Sequence, residues 1–185
     1  MRFADRFGAG QALALKLQSY QNNPDTIVIG LPRGGVIVAQ AISQYLGLAL
    51  DIVVPRKIGA PDNPEFAIGA IAPDDGAILD QNIIKIHHIP EKYINEIIQQ
   101  EKLEIQRRLK LYRGNQAPPI LKNKTIILVD DGIATGATIL ASAQYLKKQG
   151  AKKIIIAVPV LPNDATNKIK NACDKLVYLS APTWF

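Results

Sequence analysis

Short, predominantly apolar runs alternate with helical patterns along this chain, and this alternation constrains the fold more than any other feature. The runs are rich in β-branched residues and lie at positions 27–30, 52–55, 125–130, 153–158 and 176–179. Strands that are apolar throughout must be covered on both faces, and strands separated by helices usually run parallel. The sequence therefore predicts an α/β fold with a mostly parallel central sheet and helices on both faces.

Two helices are predicted between these strands, because apolar residues recur there every three or four positions. The first covers residues 35–46 and ends at Gly47. The second covers residues 136–148 and is closed by Gly150, a residue type that favours helix ends.

Two regions interrupt the alternation. Residues 90–113 predict one long inserted helix that starts near Pro90 and ends at Gly114. Residues 58–82 contain several prolines and glycines and predict a small hairpin, flap or hood standing off the sheet. Within it, residues 58–76 form either a mobile lid over a substrate or a rigid two-stranded flap. The apolar stripe of the long helix consists of Ile94, Ile97, Ile98, Ile105, Leu109 and Tyr112.

Length and composition favour one domain over residues 1–185. The single cysteine, Cys173, excludes an internal disulfide and a cysteine-based metal cluster, and it is read as a small core residue. No apolar run approaches the roughly 20 residues of a membrane span, and the first 20 residues lack the apolar core of a signal peptide. We therefore expect a cytoplasmic protein without a membrane partner.

The net charge of +6 by itself leaves nucleic acid, a membrane surface and a phosphorylated small molecule open. Its largest excess lies beyond residue 147, where lysines are spread around predicted helix ends. Aromatic residues do not interleave with these lysines as they do in grooves that bind nucleic acid, so we expect a solubilising role and no nucleic-acid partner.

The most informative segment is Val129-Asp130-Asp131-Gly132-Ile133-Ala134-Thr135-Gly136-Ala137-Thr138, which joins the clearest strand to a helix. Ligands of open α/β sheets bind at the carboxyl ends of strands. Two adjacent carboxylates there need hydroxyls, a metal ion or cations as partners. Amides at a helix start can hold an anion. One loop could thus hold a diol and a phosphate, as in ribose 5-phosphate, although an ordinary turn capped by Asp and Thr is the alternative.

Residues 126–138 resemble the phosphoribosyl-pyrophosphate (PRPP) signature of type I phosphoribosyltransferases: an apolar strand, two acids, a short variable stretch and Thr-Gly-x-Thr. Gly30-Leu31-Pro32-Arg33-Gly34-Gly35 follows the first strand, where that family has its pyrophosphate loop. Val54-Pro55-Arg56-Lys57-Ile58-Gly59 follows the second strand, where related enzymes carry basic residues before a mobile loop. The same stretches are similar to those of bacterial phosphoribosyltransferase-like proteins.

The resemblance implies an enzyme that binds PRPP with Mg²⁺, transfers the phosphoribosyl group to an unidentified nucleobase or amine, and releases pyrophosphate. It implies that Asp130 and Asp131 are the catalytic acids, which hold the ribose hydroxyls. It implies that the 5-phosphate is bound by the loop residues Gly132, Ile133, Ala134, Thr135, Gly136, Ala137 and Thr138. Candidates for the pyrophosphate side are Arg33, Gly34, Gly35, Arg56 and Lys57. The signature supplies no direct metal ligand, so Mg²⁺ is expected through PRPP and water.

The acceptor is less determined. Family members specific for hypoxanthine or guanine carry an acid at the position of Ala134, so the resemblance disfavours those bases and leaves adenine open. Trp184 and Phe185 either stack on a base, close the core or pack on a partner. The adjacent His87 and His88 are read as loop residues rather than metal ligands. The resemblance to the family, together with the long helix, favours a homodimer.

A second hypothesis keeps the fold without the chemistry. The chain would then be a regulator that senses PRPP or a nucleotide, and pyrophosphate release would separate the enzyme from this alternative.

Overall fold

The computed structural model describes residues 3–74 and 76–183, so the prediction for Trp184 and Phe185 lies outside the described residues. The helices in chain order are α1 (Arg6–Leu15), α2 (Gly34–Leu46), α3 (Gln81–Ile86), α4 (Glu91–Arg113), α5 (Ala137–Lys148) and α6 (Ala165–Lys170). The strands are β1 (Thr26–Gly30), β2 (Ala49–Ile52), β3 (Arg56–Gly59), β4 (Ala67–Ile71), β5 (Ala77–Leu79), β6 (Thr125–Val129), β7 (Lys153–Val160) and β8 (Lys175–Ser180). None of the helices in these ranges is long and apolar enough to cross a membrane.

The described residues group into two compact units. The first contains the chain up to Val53, the segment Pro118–Gly136 and the chain from Leu146 onward. The second contains Val54–Ala117 and Ala137–Tyr145.

The first unit is built on a five-stranded sheet in the order β2-β1-β6-β7-β8, in which every neighbouring pair is parallel. All five residues of β1 are buried, as are four of the five in β6. Continuous burial is what a parallel sheet covered on both faces requires. The predicted α/β class with a parallel central sheet is confirmed.

The strand order reverses between β1 and β6. The chain leaves β1 for β2 on one side, whereas β6 pairs with β1 on the other side, with Gly30 opposite Val129. The amide of Leu31 donates to the carbonyl of Val129 at 2.9 Å, so the two chains stay together just beyond the strands. Such a reversal opens a crevice at the carboxyl ends of the strands, which is where open α/β sheets bind ligands.

The N-terminal helix α1 was not predicted, and it packs closely on α2. Its contact residue is Gly10, where a Cβ atom would stand 2.5 Å from the carbonyl oxygen of Val38 and 2.7 Å from Cβ of Ala41. Leu13 and Ala14 of the same helix are fully buried. Glycine is therefore required at this crossing, because any side chain would push the two helices apart.

Replacing Gly10 with Ala should destabilise the protein by about 1–3 kcal/mol, since backbone and a neighbouring Cβ occupy the space that the new methyl group needs. Gly8 is the matched control on the same helix, because a Cβ there would meet only Asp5 Oδ1, at 3.4 Å. Gly8→Ala should be neutral or should stabilise by up to about 1 kcal/mol. Urea unfolding of both variants measures the difference, and equal midpoints would contradict the close packing of α1 on α2.

The second unit contains a three-stranded antiparallel sheet in the order β3-β4-β5, together with α3 and α4. The predicted hairpin is thus present in β4 and β5, with β3 as a third strand. The predicted long helix is confirmed as α4: Pro90 is its extended N-cap, and Gly114 ends it with a φ of +59°. Ile94 and Ile105 of its apolar stripe are buried, whereas Tyr112 at the end of the stripe is 42% exposed.

The strand predicted at residues 52–55 is displaced. The structure has β2 at Ala49–Ile52, an edge strand whose first two residues are exposed. Val53 and Val54 are buried beyond its end, and the amide of Val53 still donates to the carbonyl of Gly30 at 3.3 Å, so the β-branched run marks the end of the strand and not its whole length. Arg56 and Lys57 consequently do not follow the second strand directly but begin β3, in the second unit.

Candidate functional site

Two carboxylates follow the central strand β6 and define the candidate site. Asp130 and Asp131 are both partly buried, and the amide of Asp131 donates to Oδ1 of Asp130 at 2.9 Å. Burial raises the pKa of Asp130 to about 7, and the negative charge of Asp131 adds to the rise. The protein thus maintains one carboxyl group that titrates near neutral pH at the carboxyl end of its central sheet.

Gly34 and Gly35, at the start of α2, lie directly against these acids. A Cβ on Gly35 would stand 2.8 Å from Cα of Asp130 and 2.9 Å from the carbonyl oxygen of Val129. A Cβ on Gly34 would overlap the carboxylate of Asp131. Only glycine permits the approach at Gly35, where the nearest atoms are backbone, whereas at Gly34 they belong to side chains. The loop after β1 and the acids after β6 thus meet at the reversal of strand order.

Arg33 precedes these glycines and is exposed. It occupies the N-cap position of α2 without a side-chain capping bond, and its peptide bond to Pro32 is cis. The structure therefore brings Arg33, Gly34 and Gly35 to the same end of the sheet as the two acids.

The loop from Gly132 to Gly136 leads from the acids into α5. Ile133 is buried, and its amide donates to the carbonyl of Val160 at 3.0 Å, which fastens the loop to the end of β7. Ala134 and Thr135 are exposed, and Gly136 has a φ of +79°. The left-handed turn at Gly136 lets the chain enter α5 one residue later, at Ala137, so that Thr138 lies in the first turn of the helix.

Arg6 is a member of this site that sequence reasoning missed. Its Nε donates to Oδ2 of Asp131 at 2.7 Å, although 125 positions separate the two residues. Arg6 is the first residue of α1, whose N-cap Asp5 accepts from the amide of Gly8 at 2.7 Å. An Asp before an apolar pattern is a helix-start signal that could have revealed α1, but not the contact with Asp131.

Arg56 and Lys57 are engaged within the second unit. Nε of Arg56 donates to Glu101 at 2.5 Å in a partly buried pair, with 30% and 15% of the two side chains exposed. Nζ of Lys57 donates to Glu65 at 3.0 Å, and that glutamate is 92% exposed. Lys57 can therefore exchange its partner more easily than Arg56 can.

The remaining candidates from the sequence carry no reactive arrangement. In ranges 3–74 and 76–183, no group of three or more His, Cys, Asp or Glu could hold a metal ion. His87 ends α3 and packs edge-on against Phe66, with ring centroids 5.5 Å apart. Burial raises the pKa of the Cys173 thiol, which donates to the carbonyl of Ile169, and a neutral thiol is a poor nucleophile.

Comparison with known proteins identifies relatives of this arrangement. Residues 6–185 match the family model described as the phosphoribosyl transferase domain. A Mycobacterium tuberculosis protein with a provisional phosphoribosyl transferase name is 36% identical over 99% of this chain. The crystal structure of TT1426 from Thermus thermophilus superposes with a TM-score of 0.81 at 35% identity, covering 100% of this chain and 87% of that one.

A more distant structure shares the fold. It is a hypoxanthine-guanine phosphoribosyltransferase from Bacillus anthracis, with a TM-score of 0.54 at 11% identity over 97% of this chain and 80% of that one. The chain spans only 41% of the length of the M. tuberculosis relative, so that protein contains a further region of its own.

Proposed function

The chain belongs to the phosphoribosyltransferase family, and from that premise we propose that it binds PRPP with Mg²⁺ and transfers the phosphoribosyl group to an acceptor, releasing pyrophosphate. One observation carries the proposal. Asp130 and Asp131 meet Gly34 and Gly35 where the strand order reverses, and an exposed loop leads from the acids into a helix start.

The acids and the loop suit the two ends of a ribose 5-phosphate. Carboxylates accept hydrogen bonds from a diol, and two adjacent carboxylates match two adjacent hydroxyls. The loop from Gly132 to Thr138 ends in the first turn of α5, where amides and the hydroxyls of Thr135 and Thr138 would hold the 5-phosphate. A positive charge develops on the sugar during displacement at C1, and the negative charge of the acids stabilises it.

The pyrophosphate would lie on the loop after β1. Gly34 and Gly35 begin α2, a helix of 13 residues whose N-terminus favours negative charge. Arg33 would supply a planar pair of donors to the leaving group. Arg56 and Lys57 are paired with Glu101 and Glu65 within the second unit, and their assignment to the pyrophosphate stays a prediction from the sequence.

The described residues fit a Mg²⁺ ion that arrives with its ligand. Asp131 is paired with Arg6, and the described residues bring together no group of three or more His, Cys, Asp or Glu that could hold a metal ion by itself. Mg²⁺ commonly binds through substrate phosphates and water with few protein ligands. When bound, the ion would neutralise the leaving pyrophosphate, while the acids orient the ribose.

The exposed Ala134 limits the chemistry of the acceptor. It can neither donate nor accept a proton from its side chain, so the loop offers no general base at that position. The acceptor would then be a nucleobase or an amine that needs no proton exchange there.

Calorimetry with Mg²⁺-PRPP, followed by a screen of nucleobases and amines with detection of pyrophosphate, tests the proposal. Saturable binding and acceptor-dependent pyrophosphate release would support the enzyme. Binding without release for any acceptor would favour a PRPP-sensing regulator, and absence of PRPP binding would overturn both.

A further inference from the structure

The contact between Arg6 and Asp131 has a role beyond stability. We propose that Arg6 is a ligand-binding residue, which orients Asp131 through Nε and offers its terminal nitrogens to the pyrophosphate group of the ligand. This inference rests on the proposed function, because it assigns a further residue to the same site.

The capping of α1 and its packing on α2 fix the position of Arg6. Asp5 caps the first turn of α1, and Gly10 locks that helix against α2 with no room for a side chain. Leu13 is fully buried one turn further on. The backbone of Arg6 is therefore fixed relative to the start of α2, which is a condition for a preorganised binding residue.

The guanidinium lies at the junction of the two predicted ligand regions. Nε is 2.7 Å from Oδ2 of Asp131, on the ribose side. The same atom is 2.7 Å from the point that a Cβ on Gly34 would occupy, on the pyrophosphate side. A single cation thus touches both the acid and the loop that would hold the leaving group.

Stability alone does not account for this ion pair. The side chains of Arg6 and Asp131 are 58% and 30% exposed, and pairs at that exposure contribute little to folding. A guanidinium has five N–H donors in a planar fork, and within the described residues the ion pair with Asp131 engages Nε. The terminal nitrogens match the geometry of a phosphate, which arginine commonly binds through two parallel hydrogen bonds.

The position of Arg6 also reduces the electrostatic repulsion between the anionic ligand and the two acids. PRPP is strongly anionic, and it must approach a site that contains two adjacent carboxylates. A cation bridging Asp131 and the pyrophosphate offsets this repulsion, and it needs no metal ion held by the protein.

The test compares Arg6→Gln with wild type in calorimetric titrations of Mg²⁺-PRPP, Mg²⁺-pyrophosphate and ribose 5-phosphate. Loss of a charged donor pair should weaken the binding of PRPP and of pyrophosphate about tenfold or more, and the binding of ribose 5-phosphate by less than about threefold. Arg6→Lys keeps the charge but not the fork, so its losses should be intermediate. Arg107→Gln is the matched control, since Arg107 forms a similarly exposed 2.7 Å ion pair with Glu104 in the second unit.

Each outcome decides the proposal. Unchanged PRPP binding by Arg6→Gln would overturn it, and so would weaker binding of PRPP and ribose 5-phosphate with pyrophosphate binding unchanged, because Arg6 would then act only through Asp131. Thermal unfolding shows whether Arg6→Gln is folded as stably as wild type. If it is not, the titrations of Arg6→Lys alone decide the proposal. If wild type binds neither PRPP nor ribose 5-phosphate, the proposed function itself fails, and this failure is distinct from one confined to Arg6.

Discussion

Replacing Asp131 with Asn together with Thr135 with Val should lower the affinity for Mg²⁺-PRPP by about 100-fold or more. Asp131 would lose the charge that accepts the ribose hydroxyls, and Thr135 would lose a hydroxyl at the loop proposed for the 5-phosphate. The two changes affect opposite ends of the ribose 5-phosphate, so their effects should approach additivity. Calorimetric titration of wild type and the double variant measures the difference.

The control removes the same groups from the other end of the same strands. Asp25 immediately precedes β1, and Thr125 begins β6, so Asp25→Asn with Thr125→Val changes one carboxylate and one hydroxyl at the amino ends. This control should bind PRPP like wild type. Equal affinities for all three proteins would remove the basis for assigning the ligand to the loop after β6.

Replacing Asp130 with Asn should stabilise the protein at pH 8 relative to wild type, and much less at pH 4. Burial raises the pKa of Asp130 to about 7 in the folded protein, from an ordinary value of 3.8. Asn keeps the oxygen that accepts the amide of Asp131 and never acquires a charge. The variant therefore removes the energetic cost of ionising a partly buried carboxyl group.

The direction of this pH dependence follows from the protons bound by the folded and unfolded states. Between about pH 4 and pH 7, the folded state keeps a proton on Asp130 that the unfolded state has lost, so stability falls as the pH rises. The raised pKa sets an upper limit of about 4 kcal/mol on this loss. The stability difference between Asp130→Asn and wild type should accordingly grow from pH 4 to pH 8.

Urea unfolding at several pH values measures this growth. Asp25→Asn is a control of opposite sign, because the hydrogen bond from Lys124 lowers the pKa of Asp25 and its contribution is lost as the pH falls. A difference between Asp130→Asn and wild type that stays constant with pH would contradict the raised pKa.

The fold could be predicted wherever one local pattern decided the structure. Buried parallel strands read as unbroken apolar runs, and the predicted start of the first such run differs from that of β1 by one residue. The second strand was misplaced, because its first two residues are exposed and give no apolar signal, whereas Val53 and Val54 are buried beyond its last residue. Helix α1 was not predicted, because its burial against α2 depends on small residues such as Gly10, which give a weak periodic signal.

The geometry of the candidate site could be predicted where its residues are contiguous. The segment from Asp130 to Thr138 could be identified from the sequence alone, because strand, acids and helix start follow one another. Arg6 could not, since its contact with Asp131 depends on the packing of α1, 125 positions away. Glu101 and Glu65 were likewise not anticipated as partners of Arg56 and Lys57, because side-chain pairing across elements leaves no local pattern.

We propose that the loop after β6 holds a phosphoribosyl group. This is tested by titrating isotopically labelled protein with ribose 5-phosphate and following the backbone amide resonances. We expect the largest changes on residues 132–138, with smaller ones at Asp130 and Asp131. Largest changes elsewhere, or no saturable change at millimolar ligand, would contradict it.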